Sequence, residues 1–268
     1  MKIAICNDVY KDWSWDDVCR DAAEAGYDAI EIAPFTFAQS VESISKQERE
    51  KIRNVAAEHG IAIAGLHWLL LGPEGLHLYD PDASAVTKPY LEALAEFCAD
   101  IGGEVLVFGS PKQRQRPEHL EPERARDLAK KALADWARAC HQRGLLLCLE
   151  PLTSAETDFI VSAGEAVQLI EEIDEPGLAL HLDVRAMLSE ELPMEEIIRS
   201  YAKYLRHVHV NDAGMIPPGK GETPYEPIVS ALKESGYTGY LSVEVFDLQG
   251  QEPQVVARES ANFLRSFM

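Results

Sequence analysis

Short apolar runs alternate with longer amphipathic segments eight times along the chain. The runs occupy residues 3–7, 29–33, 61–67, 105–109, 145–150, 178–183, 207–210 and 240–245. Most are apolar at both odd and even positions, the pattern of strands covered on both faces of a parallel sheet. The segments between them carry helix ends. Ser14 with Asp17 opens one helix and Gly26 follows it, and Ser45 with Glu48 forms a capping-box signature ahead of a helix that Gly60 follows. Over residues 122–143, Leu128, Ala132, Leu133, Trp136 and Cys140 fall on one stripe and Gly144 stops the helix; Ser162 with Glu165 opens another. Strand–helix alternation repeated eight times predicts an α/β fold, the (β/α)8 TIM barrel. No composition shift or Pro/Ser-rich linker divides the chain, so a single domain over residues 1–268 is expected. A doubly wound open sheet is the competing fold. It needs a glycine-rich phosphate turn after the first strand, where this chain has Asn7-Asp8-Val9-Tyr10.

Four of the apolar runs close on a polar residue: Glu150 in LLLCLEP, Asp183 in LALHLDV, His209 in RHVHVND and Glu244 in YLSVEVF. In a barrel the C-terminal strand ends form the active face. Neighbouring strands lie about 5 Å apart, so side chains from strands five to eight reach a common point. One strand-end carboxylate by itself is most simply a loop cap; four in succession are not explained that way. Carboxylates this close repel and raise one another's pKa unless a cation sits between them. Three carboxylates and an imidazole form a hard ligand set. It predicts one divalent metal ion on Glu150, Asp183, His209 and Glu244, with Mn²⁺ first and Mg²⁺, Co²⁺ or Zn²⁺ also compatible. An octahedral ion would keep two positions open for a substrate with vicinal oxygens, such as an α-hydroxy ketone.

Other residues extend this set. His67 and Trp68 close strand three and are expected to line the pocket; a hydrogen-bonded core histidine is the plainer alternative. Arg185, two residues past Asp183, supplies a cation for a phosphate or carboxylate end of a substrate, or else a surface ion pair. His181 and His207 share parity with Asp183 and His209 and point inward one layer deeper. His181 is carried as a candidate substrate contact, with a supporting or core role as its alternative. Lys220, between Gly219 and Gly221, could bind phosphate or belong to a surface turn. Trp13, Trp15 and Phe35 could wall a sugar site or pack the core.

Charge and cysteine content narrow the partners. The 268 residues carry a net charge of −20, which repels phosphate backbones and argues against nucleic-acid binding. The acidic residues are spread along helical segments, as on solvated faces. Five cysteines, an odd number without a CxxC, read as buried thiols of a reducing, cytoplasmic compartment; Cys6, near a strand end, is a candidate reactive thiol. The start, MKIAICNDVY, has no signal-peptide core, and the longest apolar stretch, residues 61–71, is too short to span a bilayer, so no membrane association is expected. A homo-oligomer is compatible with all of this.

With LCLEPL, LHLDV, RHVHVND and GKGETPYEPIVSALKESGYTGYLSVE in these positions, essentially the whole chain resembles the xylose isomerase-like TIM-barrel superfamily of sugar and sugar-phosphate isomerases and epimerases. Its branches include ketose 3-epimerases, hydroxypyruvate isomerases and keto-inositol enzymes. The resemblance implies that Glu150, Asp183, His209 and Glu244 are metal ligands, and that Glu150 and Glu244 are also acid/base groups on opposite faces of a carbohydrate substrate. It further implies that Glu156 contacts that substrate. The implied chemistry is proton abstraction α to a carbonyl through an enediolate, giving epimerisation or aldose–ketose isomerisation. This sequence departs from the free-ketose epimerases at two positions. Ala186 stands where they carry a histidine, and Met215 where they carry an arginine, both of which bind the sugar's carbonyl end. Three other functions compete. They are a lyase or dehydratase acting on a keto-sugar or keto-cyclitol, a DNA-repair endonuclease of the related three-metal barrels, and a non-catalytic sugar-binding barrel. The second calls for a basic groove and more ligands on the early strands; the third has no use for opposed glutamates.

Overall fold

Eight parallel strands close into a barrel in the order β1 to β8, with β1 hydrogen-bonded to both β2 and β8. They are β1 Lys2–Cys6, β2 Ala29–Ile32, β3 Ala62–Leu66, β4 Val105–Phe108, β5 Leu146–Leu149, β6 Leu178–Asp183, β7 Leu205–Val210 and β8 Tyr240–Val243. The computed structural model describes residues 1–79 and 81–268. Every expected strand is present. His67, Glu150 and Glu244 stand one residue beyond their ladders, because the chain turns away there into the rim loops. β7 starts two residues earlier than the apolar run suggests, because exposed Arg206 interrupts the pattern.

Helices cover the outside: α1 Trp15–Ala25, α2 Lys46–Glu58, α3 Pro81–Ile101, α4 Pro111–Arg114, α5 Pro122–His141, α6 Ala163–Ile173, α7 Val184–Met187, α8 Met194–Tyr201, α9 Tyr225–Glu234 and α10 Pro253–Arg265. Their ends follow the local chemistry. Ser14 Oγ accepts from the Asp17 amide at 3.2 Å, and Gly26 closes α1 with φ 92°, a left-handed conformation open to glycine. Ser45 and Glu48 complete a capping box on α2, and Ser162 caps α6.

Alternate residues of each strand face opposite ways, and this sorts the core. Ile3, Ile5, Ile30, Ile32, Leu180 and Leu182 belong to one large apolar cluster shared with the helices. Two small clusters stand apart from it: Ala4, Ala29, Ala64 and Tyr240, and Val105, Val107, Cys148 and Ala179. By parity these line the barrel interior, and the inward residues above them turn polar. Going up β6 the inward series is Ala179, His181, Asp183; going up β8 it is Tyr240, Ser242, Glu244. Alanine, valine and cysteine side chains together with Tyr240 fill the barrel floor, so the polar layers sit directly on a packed base.

Candidate active site

The barrel brings Glu150, Asp183, His209 and Glu244 together. One donor atom from each lies within 4.8 Å of the others, and all four residues are buried. Asp183 and His209 are direct register partners across β6 and β7. His209 Nδ1 lies 3.2 Å from Glu244 Oε2 and 4.0 Å from Glu150 Oε1 and makes no aligned hydrogen bond. A buried ring nitrogen without a partner, facing carboxylates, is the geometry a cation would complete. These four residues therefore fit a divalent ion.

Each ligand is held from behind. Asp183 caps α7, with Oδ1 accepting from the Ala186 amide at 2.8 Å and Oδ2 from Asn211 Nδ2 at 2.7 Å. Asn211 in turn accepts from the Arg185 amide, and Tyr225 Oη donates to its carbonyl, so the loops after β6 and β7 are tied together through Asp183. Glu150 is anchored through its own carbonyl, which accepts from Arg114 Nη1 at 2.7 Å. Arg114 is wholly buried and also donates to Ile160 O; burial brings its guanidinium down to about 10, so it is still charged at neutral pH. Gly109 leaves the space the Glu150 carboxylate needs, since a Cβ there would lie 2.1 Å from Glu150 Oε2. Glu244 Oε1 sits 3.1 Å from His67 Nδ1, and His67 Nε2 faces Asp8 at 3.5 Å.

The carboxylates are electrostatically unequal. Burial, and then the charge of Glu244, push the Glu150 carboxyl up to about 8. Burial and Glu244 likewise push Asp183 up to about 6. Burial works in the same direction on Glu244, but His209 and His67 beside it hold it down to about 2. The cluster thus favours the ionised form of Glu244 and raises the proton affinity of Glu150 and, less, of Asp183.

Above the cluster opens a cleft lined by His67, Trp68, Gly109, Ser110, Pro111, Leu152, Glu156, Arg185, Met215 and Phe246 with three of the four candidate ligands. His67, Trp68, Glu156 and Arg185 thus line this cleft. Trp68, Ser110 and Met215 all have positive φ (53°, 47° and 59°), so three strained backbone positions lie on the pocket wall. Arg185 and Glu156 pair at 2.8 Å, and Glu156 Oε2 also accepts from Thr153 Oγ1.

Several expected residues lie elsewhere. His181 does not reach the pocket. It is fully buried one layer below, with Nε2 3.7 Å from Glu150 Oε1 and its ring 4.1 Å from that of His209, because its position on β6 is two residues short of the rim. Lys220 pairs with Glu259 on the surface. Trp13, Trp15 and Phe35 line a different cleft. The Cys6 thiol is buried and pushed up to about 12 by that burial, which corrects the expectation of a reactive thiol. Several contributors went unread in the sequence, among them Arg114, Gly109, Asn211, and Glu31 on β2, whose carboxylate is enclosed between His207 and His209. Among the described residues no helix is long and apolar enough to cross a membrane.

Comparison with known proteins agrees with this geometry. Residues 19–267 match the family model described as xylose isomerase-like TIM barrel. The chain is 28% identical over 235 residues to D-psicose 3-epimerase of Agrobacterium fabrum, covering 84% of this chain and 76% of that protein. It is 24% identical over 259 residues to fructoselysine 3-epimerase of Escherichia coli O157:H7, covering 93% and 92%. Among solved structures, D-psicose 3-epimerase in the presence of D-fructose superposes with a TM-score of 0.87 at 22% identity, covering 100% and 99% of the two chains. The 3-keto-D-glucoside 4-epimerase of E. coli superposes with a TM-score of 0.85 at 21% identity, covering 99% of each. The chain belongs to the xylose isomerase-like TIM-barrel family, and it is an enzyme of the isomerase and epimerase class.

Proposed function

We propose that this protein is a divalent metal-dependent sugar epimerase or isomerase that moves a proton α to a carbonyl. The observation that carries this reading is the placement of two glutamates, Glu150 just past β5 and Glu244 just past β8, on either side of the buried Asp183–His209 pair. Glu150, Asp183, His209 and Glu244 would hold the ion, with Mn²⁺ the first candidate. When bound, such an ion supplies charge that polarises a substrate carbonyl and offsets the negative charge that develops on proton removal. The chain's own residues do the rest. A substrate lying in the cleft shows one face to Glu150 and the other to Glu244. Either carboxylate can take the α-proton, and return from the opposite side inverts the carbon. Glu156 and Arg185 supply polar contacts at the mouth, while Trp68, Leu152 and Phe246 wall off water.

The substrate we favour is a modified sugar: a phosphate, a keto-glycoside or a cyclitol. Met215 puts a thioether side chain on the pocket wall, and Ala186 carries only a methyl beside Asp183. Two of the proteins it resembles are likewise named for a modified sugar, fructoselysine and a 3-keto-glucoside. The test is incubation in D₂O with a panel of ketoses, keto-sugars and their phosphates, followed by NMR. Deuterium should appear at the carbon α to the carbonyl of a modified sugar, with simple ketohexoses turned over at kcat/KM below about 10⁴ M⁻¹s⁻¹. Efficient turnover of fructose or tagatose would overturn the substrate reading. Absence of exchange across the whole panel would overturn the reaction.

A further inference from the structure

Glu31 sits inside β2, in AIEI, with its carboxylate wholly enclosed by the barrel. Burying a carboxylate costs several kcal/mol unless hydrogen-bond donors replace water (roughly the range for buried ions). The groups that answer it are two imidazoles from β7. Glu31 Oε2 lies 2.8 Å from His207 Nε2, and both of its oxygens lie 3.1 Å from His209 Nε2. An ionised carboxylate only accepts hydrogen bonds, so each ring must present an N–H at Nε2. For His209 this has a consequence across the ring. Nδ1 is then the nitrogen left to offer a lone pair, and Nδ1 is the atom that faces Glu244 and Glu150.

We propose that Glu31 is a positioning residue that fixes His209 with its hydrogen on Nε2 and aims Nδ1 into the cation site. The proposal rests on the metal reading given above. It makes the early half of the barrel part of the site, although that half supplies none of the four candidate ligands. His207, two residues nearer the base of β7 than His209, anchors the carboxylate from below. Carboxylate–imidazole–metal arrangements of this kind commonly govern affinity, and losing the outer partner costs about 10–100-fold.

The test uses Glu31→Gln. An amide keeps the shape but is uncharged, and its NH2 puts a donor in place of one accepting oxygen, against imidazole N–H groups that both point at Glu31. Mn²⁺ titrated calorimetrically into the chelator-treated protein should bind the variant about 10–100-fold more weakly than wild type. Thermal unfolding in the presence of chelator should be nearly unchanged between the two. A second measurement needs no variant: in the Mg²⁺- or Zn²⁺-loaded wild type, ¹⁵N NMR should show His209 protonated at Nε2 and unprotonated at Nδ1. The proposal falls if a folded Glu31→Gln binds Mn²⁺ within roughly twofold of wild type, or if the loaded His209 carries its hydrogen on Nδ1. It also falls if the variant loses thermal stability but keeps its affinity, which would leave Glu31 a packing residue. A wild type that takes up no divalent ion overturns the metal reading and this one with it. A wild type that binds beside an indifferent variant removes Glu31 alone.

Discussion

The two halves of the barrel contribute to the site in different ways. Strands β5 to β8 place a polar residue at or just beyond each strand end, and those four side chains converge. Residues on or just past strands β1 to β4 act on those side chains instead: Glu31 grips His209 from one layer down, His67 touches Glu244, Asp8 faces His67, and Gly109 stays bare so that Glu150 fits. One half carries the donors and the other orients three of them; Asp183 is held within its own half, by Asn211 and the Ala186 amide. A residue that reacts must stand where substrate can reach it, at a strand tip. A residue that orients works better one layer down, where packing removes its freedom.

The largest effect expected from this division is on the tips. Glu150→Gln and Glu244→Gln keep side-chain volume and lose the proton acceptor, so each should lower kcat by about 10²-fold or more. If both glutamates serve, one variant will still exchange the substrate α-proton with D₂O while forming no product, and that variant marks the group that completes inversion. Near wild-type turnover in both would leave them as ligands only.

A smaller effect should come from behind. In Gly109→Ala the new methyl would occupy the space of the Glu150 carboxylate, and the carboxylate must yield. Misplacing a reacting group by about 1 Å costs up to about 10²-fold, so we expect a fall in kcat of about 10–10²-fold with the fold retained. Circular dichroism checks the fold and steady-state kinetics the loss. An unchanged kcat would show that Glu150 works from another position.

The smallest expected effect is electrostatic. Burial and Glu244 raise the Glu150 carboxyl to about 8 in the folded protein, above its ordinary range. For a raised carboxyl it is the charged form that folding penalises. Metal-free protein therefore loses this part of its stability as pH climbs from the ordinary carboxylate range, about 4 to 5, toward 8. A cation displaces that proton and removes the penalty. The gain in Tm on adding Mn²⁺ should thus widen with pH and level off near about 8. Glu150→Gln should flatten the trend; a gain that narrows with rising pH would contradict the assignment.

The same contrast explains what was legible in the sequence. A polar residue that ends an apolar run stands out, so Glu150, Asp183, His209 and Glu244 could be read together, as could the barrel that their strands imply. Glu31 could not, because in AIEI a single acid inside a strand has the same signature as a solvent-facing position. Only the register with β1 and the approach of β7 reveal that it points inward. His181 shows the limit of parity: the alternation that faces it inward does not say how far below the rim it lies. The pairing of Arg185 with Glu156 and the exclusion of a Cβ at Gly109 depend on loops whose course the apolar pattern does not encode.

The most direct test of the account is an anomalous-scattering map of crystals of the Mn²⁺-loaded protein. It should show one strong peak per chain within about 2.0–2.4 Å of Glu150, Asp183, Glu244 and the Nδ1 atom of His209. A peak held by other residues, or no peak among these four after Mn²⁺ loading, would contradict it.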